Sequence, residues 1–147
     1  MSEYNDLPDF LKNTVTLPVY KKWLVRKANT HFKRDKNRGS LIATASSYRH
    51  AIHEAVVRSK GFDEYTGRSL RWDLISQYDN AESSRNGRGY KRAFYNLPTV
   101  DHLDDGLGLP SFKICSWQVN DAKHDQTFDE FLDICRAVIA LHESNAI

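Results

Sequence analysis

The stretch "TVDHLDDGLGLPSFKICSWQVNDAKHD", residues 99–125, carries the densest chemical pattern in the chain. Asp101 stands directly against His102, and Asn120 follows eighteen positions later, with Lys123 and His124 close behind. "LPTVDH" reads as a short strand, "DDGLGLP" as a turn and "SFKICS" as a second strand. The chain then switches to helix around Trp117. Neighbouring strand residues point to opposite faces, so His102 can share an ion with Asp101 only through backbone geometry at the bend. Asn120 and His124 are one helical turn apart and share a face. If that helix packs back on the hairpin, an oxygen of Asp101 and an oxygen of Asn120 can meet. Two hard oxygen ligands with open positions suit a divalent cation that keeps waters and accepts a phosphate oxygen. An unperturbed histidine, with a pKa of about 6.5, is mostly neutral at pH 7 and can take a proton from water.

Charge is distributed unevenly around this stretch. The net charge of +2 divides into +7 over residues 1–60, +1 over 61–100 and −6 over 101–147. One end is built to grip a polyanion, the other to gather carboxylates. Lys21, Lys22, Arg26, Lys27, Lys33, Arg34, Lys36 and Arg38 put eight positive charges and one Asp into eighteen residues. On a helix opened by Pro18, that run forms a cationic surface able to touch nucleic-acid phosphates. The polar, Gly-containing loop with Arg85, Arg88, Lys91 and Arg92 reads as a second phosphate clamp.

Around these features the chain has the makings of one domain of 147 residues. Residues 43–58 form a helix with Tyr48, Ile52, Ala55 and Val56 on one face and Arg49, His53 and Glu54 elsewhere, closed near Gly61. Thr127 and Glu130 make a T-x-x-E capping box. Phe128, Phe131, Leu132, Cys135, Val138 and Ile139 follow at helical spacing, which predicts a C-terminal packing helix. No apolar run is long enough for a membrane span, and the start lacks a signal-peptide layout. Cys115 and Cys135 are too few for a disulfide framework, so a reduced, cytoplasmic setting is expected. Asp104 and Asp105 read as turn residues before Gly106. Trp23, Trp72 and Trp117 read as core, and His50 with His53 lacks a third ligand for zinc.

Residues 62–125 resemble the HNH endonucleases, the ββα-metal nuclease family, whose motif runs D-H, a spacer, then N-L-x-x-L-C-x-x-C-N-x-x-K. "SFKICSWQVNDAK" matches the second half without a gap. Ser111 falls at the middle Asn, Ser116 and Val119 at the two cysteines, Asn120 at the final motif Asn and Lys123 at the lysine. "YTGRSL" looks like the C-x-x-C-G-x-x-L entry turn with its cysteines lost. The resemblance implies a ββα-metal core over 62–125, and with the helical region read over 1–61 and the C-terminal helix over 126–147 the expected fold is α+β. It implies Mg²⁺, or another divalent cation such as Mn²⁺, on Asp101 and Asn120, with His124 or Lys123 as a third ligand or phosphate contact. His102 would be the general base and DNA the substrate, with RNA also compatible because phosphate contacts carry no base information. A homodimer would let one site per chain cut both strands. With both C-x-x-C pairs missing, no structural zinc is expected and the apolar core must hold the site. With Ser111 at the bracing position, the orientation of His102 must come from elsewhere. The rival readings are a non-catalytic nucleic-acid-binding module with a degenerate HNH fold, and a protein-interaction domain driven by charge asymmetry.

Overall fold

The computed structural model describes residues 6–77, 92–103 and 106–144. Arg85, Arg88 and Lys91 of the expected phosphate clamp lie outside the described residues, as do Asp104 and Asp105. The chain is a mixed α+β fold, and among the described residues it holds four α-helices and a two-stranded antiparallel sheet.

Helix α1, Leu17–Asn37, begins where the Thr16 hydroxyl accepts the Val19 N–H and Pro18 occupies the first turn. Both devices suit a helix start, because the first N–H groups have no partner within the helix. Helix α2, Ala45–Ser59, is capped in the same way by Thr44, which accepts the Ser47 N–H at 3.0 Å. It ends on Lys60 and Gly61, both in the left-handed region, which turns the chain sharply toward the hairpin. Strand β1, Pro98–His102, pairs with β2, Phe112–Ser116, in a register that sets Thr99 opposite Cys115, Asp101 opposite Lys113 and His102 opposite Phe112. Helix α3, Trp117–Lys123, follows β2 directly and is capped by Ser116, whose hydroxyl accepts the Val119 N–H at 3.1 Å. The ββα order expected of residues 98–123 is therefore present.

The core lies where α1 and α2 meet one face of the hairpin. Tyr20, Trp23, Leu24 and Ala28 of α1 pack with Tyr48, Ile52, Ala55 and Val56 of α2, over Val100, Phe112 and Ile114. Each large side chain removed from water there contributes about 1.5–3 kcal/mol before entropy is charged against it. Trp23 and Trp72 meet edge-on at 5.2 Å, so both are core residues as expected. His53, expected to point away from the core, is instead buried. Its Nδ1 lies 2.7 Å from the Tyr20 hydroxyl, and that partner is what makes an imidazole tolerable there.

The segment before the hairpin is clamped by a carboxylate. Asp63, 2% exposed, accepts the N–H of Tyr65 at 2.7 Å and of Thr66 at 3.0 Å on Oδ1, and of Ser116 at 2.8 Å on Oδ2. It thus joins the turn over residues 63–67 to the end of β2. The sequence expectation gave this job to the apolar core alone; a buried acid shares it. Asp63→Ala leaves three backbone donors without an acceptor, and we expect a loss of about 3 kcal/mol. That corresponds to a fall of roughly 10 °C in Tm, and a melt within 2 °C or so of wild type would refute the clamp.

The final helix, α4, Phe128–Ser144, forms with the expected capping box. Glu130 accepts the Thr127 N–H at 2.9 Å, and the Thr127 hydroxyl accepts the Glu130 N–H at 3.1 Å. Its role differs from the expected packing helix. None of its residues is buried, and Ile134, Val138, Ile139 and Leu141 are each more than half exposed. Phe128 stacks on Tyr65 with ring centroids 5.0 Å apart, anchoring the helix at its start. A regular apolar period produces a helix, but it does not specify what the apolar stripe will meet.

Candidate nucleic-acid interface and ion site

Adjacent positions on β1 send Asp101 and His102 to opposite faces of the hairpin, and the two are found in different surroundings. On one face Asp101, 7% exposed, receives the Tyr65 hydroxyl on Oδ2. The ammonium of Lys123 lies 3.2 Å from the same oxygen, and its side chain is 6% exposed. Burial, then the hydrogen bond to Asp101, pushes the Tyr65 phenol well above its ordinary range, so it remains a donor. Lys123, expected on a phosphate, is therefore an internal counter-ion instead. Asn120 lies one turn earlier on the same face of α3, is partly buried and lines a cleft that Thr99 also lines. The α3 face bearing Asn120 and Lys123 thus looks onto the β1 face bearing Thr99 and Asp101.

On the other face His102 turns into the interior. Its Nε2 is 2.6 Å from Oδ2 of Asp35 on α1, and the two side chains are 3% and 0% exposed. The Tyr48 hydroxyl donates to the same Asp35 oxygen. The ring of His102 packs edge-on against Phe112 at 4.9 Å, with His31 at 5.6 Å. Asp35 is the residue that orients His102, and no local pattern announced it, since it lies 67 positions upstream in a basic run. Burial raises the Asp35 pKa, but hydrogen bonds from Tyr48 and His102 outweigh this and hold the carboxyl below its ordinary value. Gly106, at φ +81°, lies over this carboxylate, and a Cβ there would collide with Oδ1.

His124 stands apart from both groups. Its backbone N–H bonds the Asn120 carbonyl at 2.9 Å, closing α3, while its ring is 80% exposed and lies 3.3 Å from Asp125. Among the described residues, no three His, Cys, Asp or Glu side chains are grouped closely enough to hold one metal ion.

The basic helix forms a wall beside this junction. Lys22, Arg26 and Lys33 are exposed, whereas Lys21, Lys27 and Arg34 are partly buried, and Arg92 is exposed at the resumption of the chain. Between α1 and the ββα unit runs a cleft of about 670 Å³, lined by Lys22, Arg26, Lys27, Thr99, Trp117 and Asn120 among others. Lys27 reaches across it to donate to the Thr99 hydroxyl at 3.1 Å. Burial, then the charge of Arg26, pushes the Lys27 ammonium down to about 8. Comparison with protein-family models, curated proteins and solved structures finds no match to the chain.

Proposed function

We propose that this chain is a nucleic-acid phosphodiesterase of the HNH kind that holds a DNA backbone where the basic face of α1 meets the ββα unit. The observation that carries the reading is the junction itself: Asn120 of α3 and Thr99 of β1 line a cleft walled by Lys22, Arg26 and Lys27, and Asp101, paired with Lys123, lies two residues beyond Thr99 on the same strand face. Cations on one wall attract the phosphates, and oxygen donors on the other suit the hard ion that phosphoryl chemistry uses. The donor chemistry of Asp101 and Asn120 fits Mg²⁺ or Mn²⁺, one ligand charged and one neutral. An ion bound there would polarise the scissile phosphate and lower the pKa of a bound water. Lys123 balances the Asp101 carboxylate in the ion-free chain, so it competes with the ion for that oxygen. The Asp35 carboxylate, 2.6 Å from Nε2, fixes the orientation of the His102 ring. The free thiols of Cys115 and Cys135 suit a reduced, cytoplasmic setting.

A second reading is favoured by two specific observations. The carboxylate of Asp101 already has a buried ammonium partner, and His102 faces the core rather than Asp101. Both suit a module that grips nucleic acid without cutting it. Plasmid nicking separates the readings. We expect cutting with Mg²⁺, its abolition by EDTA, and its loss in Asn120→Ala with DNA binding kept. His102→Ala should also lose cutting, but its melt must be recorded beside the assay because the buried hydrogen bond to Asp35 is broken. Tight DNA binding with no metal-dependent cutting at any protein concentration leaves the binding module as the correct reading.

A further inference from the structure

The cleft between α1 and the ββα unit has two chemically different walls. Lys22, Arg26 and Lys27 make one cationic; Ile75, Leu97 and Trp117 make the other apolar and aromatic. A smooth duplex backbone asks only for the first. At about 670 Å³ the cleft has the size of a small-molecule pocket, far too small to seat a duplex but ample for one unit of a strand. A nucleotide has these two halves, an anionic phosphate and a flat ring with an apolar face, and single-strand binders combine cationic and aromatic surfaces in this way.

Two further observations point to a ligand. Lys27 is held in place by the neutral hydroxyl of Thr99, and among the described residues no carboxylate pairs with it. His31 also lines the cleft, and its Nδ1 is buried without a hydrogen-bond partner among the described residues. Burial first, then the charge of Arg34, pushes its imidazole down to about 3, so the ring stays neutral. A cation awaiting an anion and an imidazole awaiting a partner share one cavity.

We infer that this cleft takes one splayed nucleotide of a single strand, its phosphate on Arg26 and Lys27 and its base among Ile75, Leu97 and Trp117. The inference rests on the nucleic-acid part of the proposed function and not on hydrolysis. The preferred substrate is then a single-stranded or locally opened segment.

Fluorescence anisotropy in EDTA tests it on the full chain with a labelled oligothymidylate and a duplex of equal length. We expect the single strand to bind about tenfold more tightly, the order of one stacked base. Arg26→Ala and Lys27→Met should each weaken single-strand binding about tenfold and duplex binding much less, and Trp117→Leu should remove the preference. Arg26 is exposed, so its variant guards against a loss that is merely misfolding. Equal affinity for the two forms, or unchanged binding by both cation variants, overturns the inference while leaving nucleic-acid binding standing. Thymidine monophosphate binding as tightly as the strand overturns it in favour of a free-nucleotide pocket. Failure of both oligonucleotides to bind overturns it together with the nucleic-acid reading.

Discussion

Asp35→Ala is expected to lower stability by about 3–5 kcal/mol, the order expected when two buried groups lose one shared charged hydrogen-bond acceptor. Asp35 is 0% exposed and accepts from both His102 and Tyr48, so its loss leaves two buried polar groups without that acceptor. Against a typical total of about 5–15 kcal/mol, this is enough to leave a large unfolded fraction. Urea denaturation gives the value directly, and a midpoint indistinguishable from wild type would sink the claim that this triad ties α1 and α2 to the hairpin. Replacing the whole group, as Asp35→Leu with His102→Phe and Tyr48→Phe, should recover much of the loss, because no polar group is then stranded. The pH dependence has a definite sign. A carboxyl whose folded pKa lies below its unfolded value of about 3.9 stabilises the fold above that pH, and the contribution is lost as pH falls further. Wild type should therefore lose stability below about pH 4, and Asp35→Ala should show a shallower acid limb in the same titration.

Asp101→Asn is expected to reduce metal-dependent cutting by at least about a hundredfold. The change is nearly isosteric and keeps an acceptor for Tyr65, but it removes the one charged donor offered to an ion. Several kcal/mol of lost transition-state stabilisation corresponds to that factor or more. The same change leaves the buried Lys123 ammonium without its carboxylate, so a fall in Tm is expected alongside. Lys123→Met distinguishes structure from chemistry. It frees the carboxylate from a competitor at 3.2 Å, and Mn²⁺ binding followed by electron paramagnetic resonance should tighten about tenfold, a modest share of such a pair's attraction. If Lys123→Met leaves Mn²⁺ affinity unchanged or weaker, the ammonium is no competitor and the ion site is elsewhere. If Asp101→Asn cuts as fast as wild type, the carboxylate has no part in the reaction.

Local signals were legible in the sequence wherever one element answers to its own residues. The ββα order of residues 98–123, the Thr127–Glu130 capping box and the start of α1 beside Pro18 depend on turn chemistry and helix caps acting over three or four positions. The placement of Asn120 and Lys123 on one face of α3 follows from helical spacing alone. The opposition of Asp101 and His102 follows from the alternation of a strand, which no local bend here overrides.

The mixed α+β composition, the hairpin followed by a helix and the basic character of α1 are all set by residues close together along the chain. Which partners those residues meet follows from the packing of distant elements. Asp35 reaches His102 from 67 positions away, Asp63 holds Ser116 from 53 positions away, and Lys27 finds Thr99 across 72. It also left the apolar stripe of α4 uncovered and turned Lys123 inward onto Asp101. The physical reason is that periodicity and caps act within a few residues, whereas a buried charge takes whichever counter-group the packed elements bring within about 3 Å. That choice is a property of the assembled core and has no local signature.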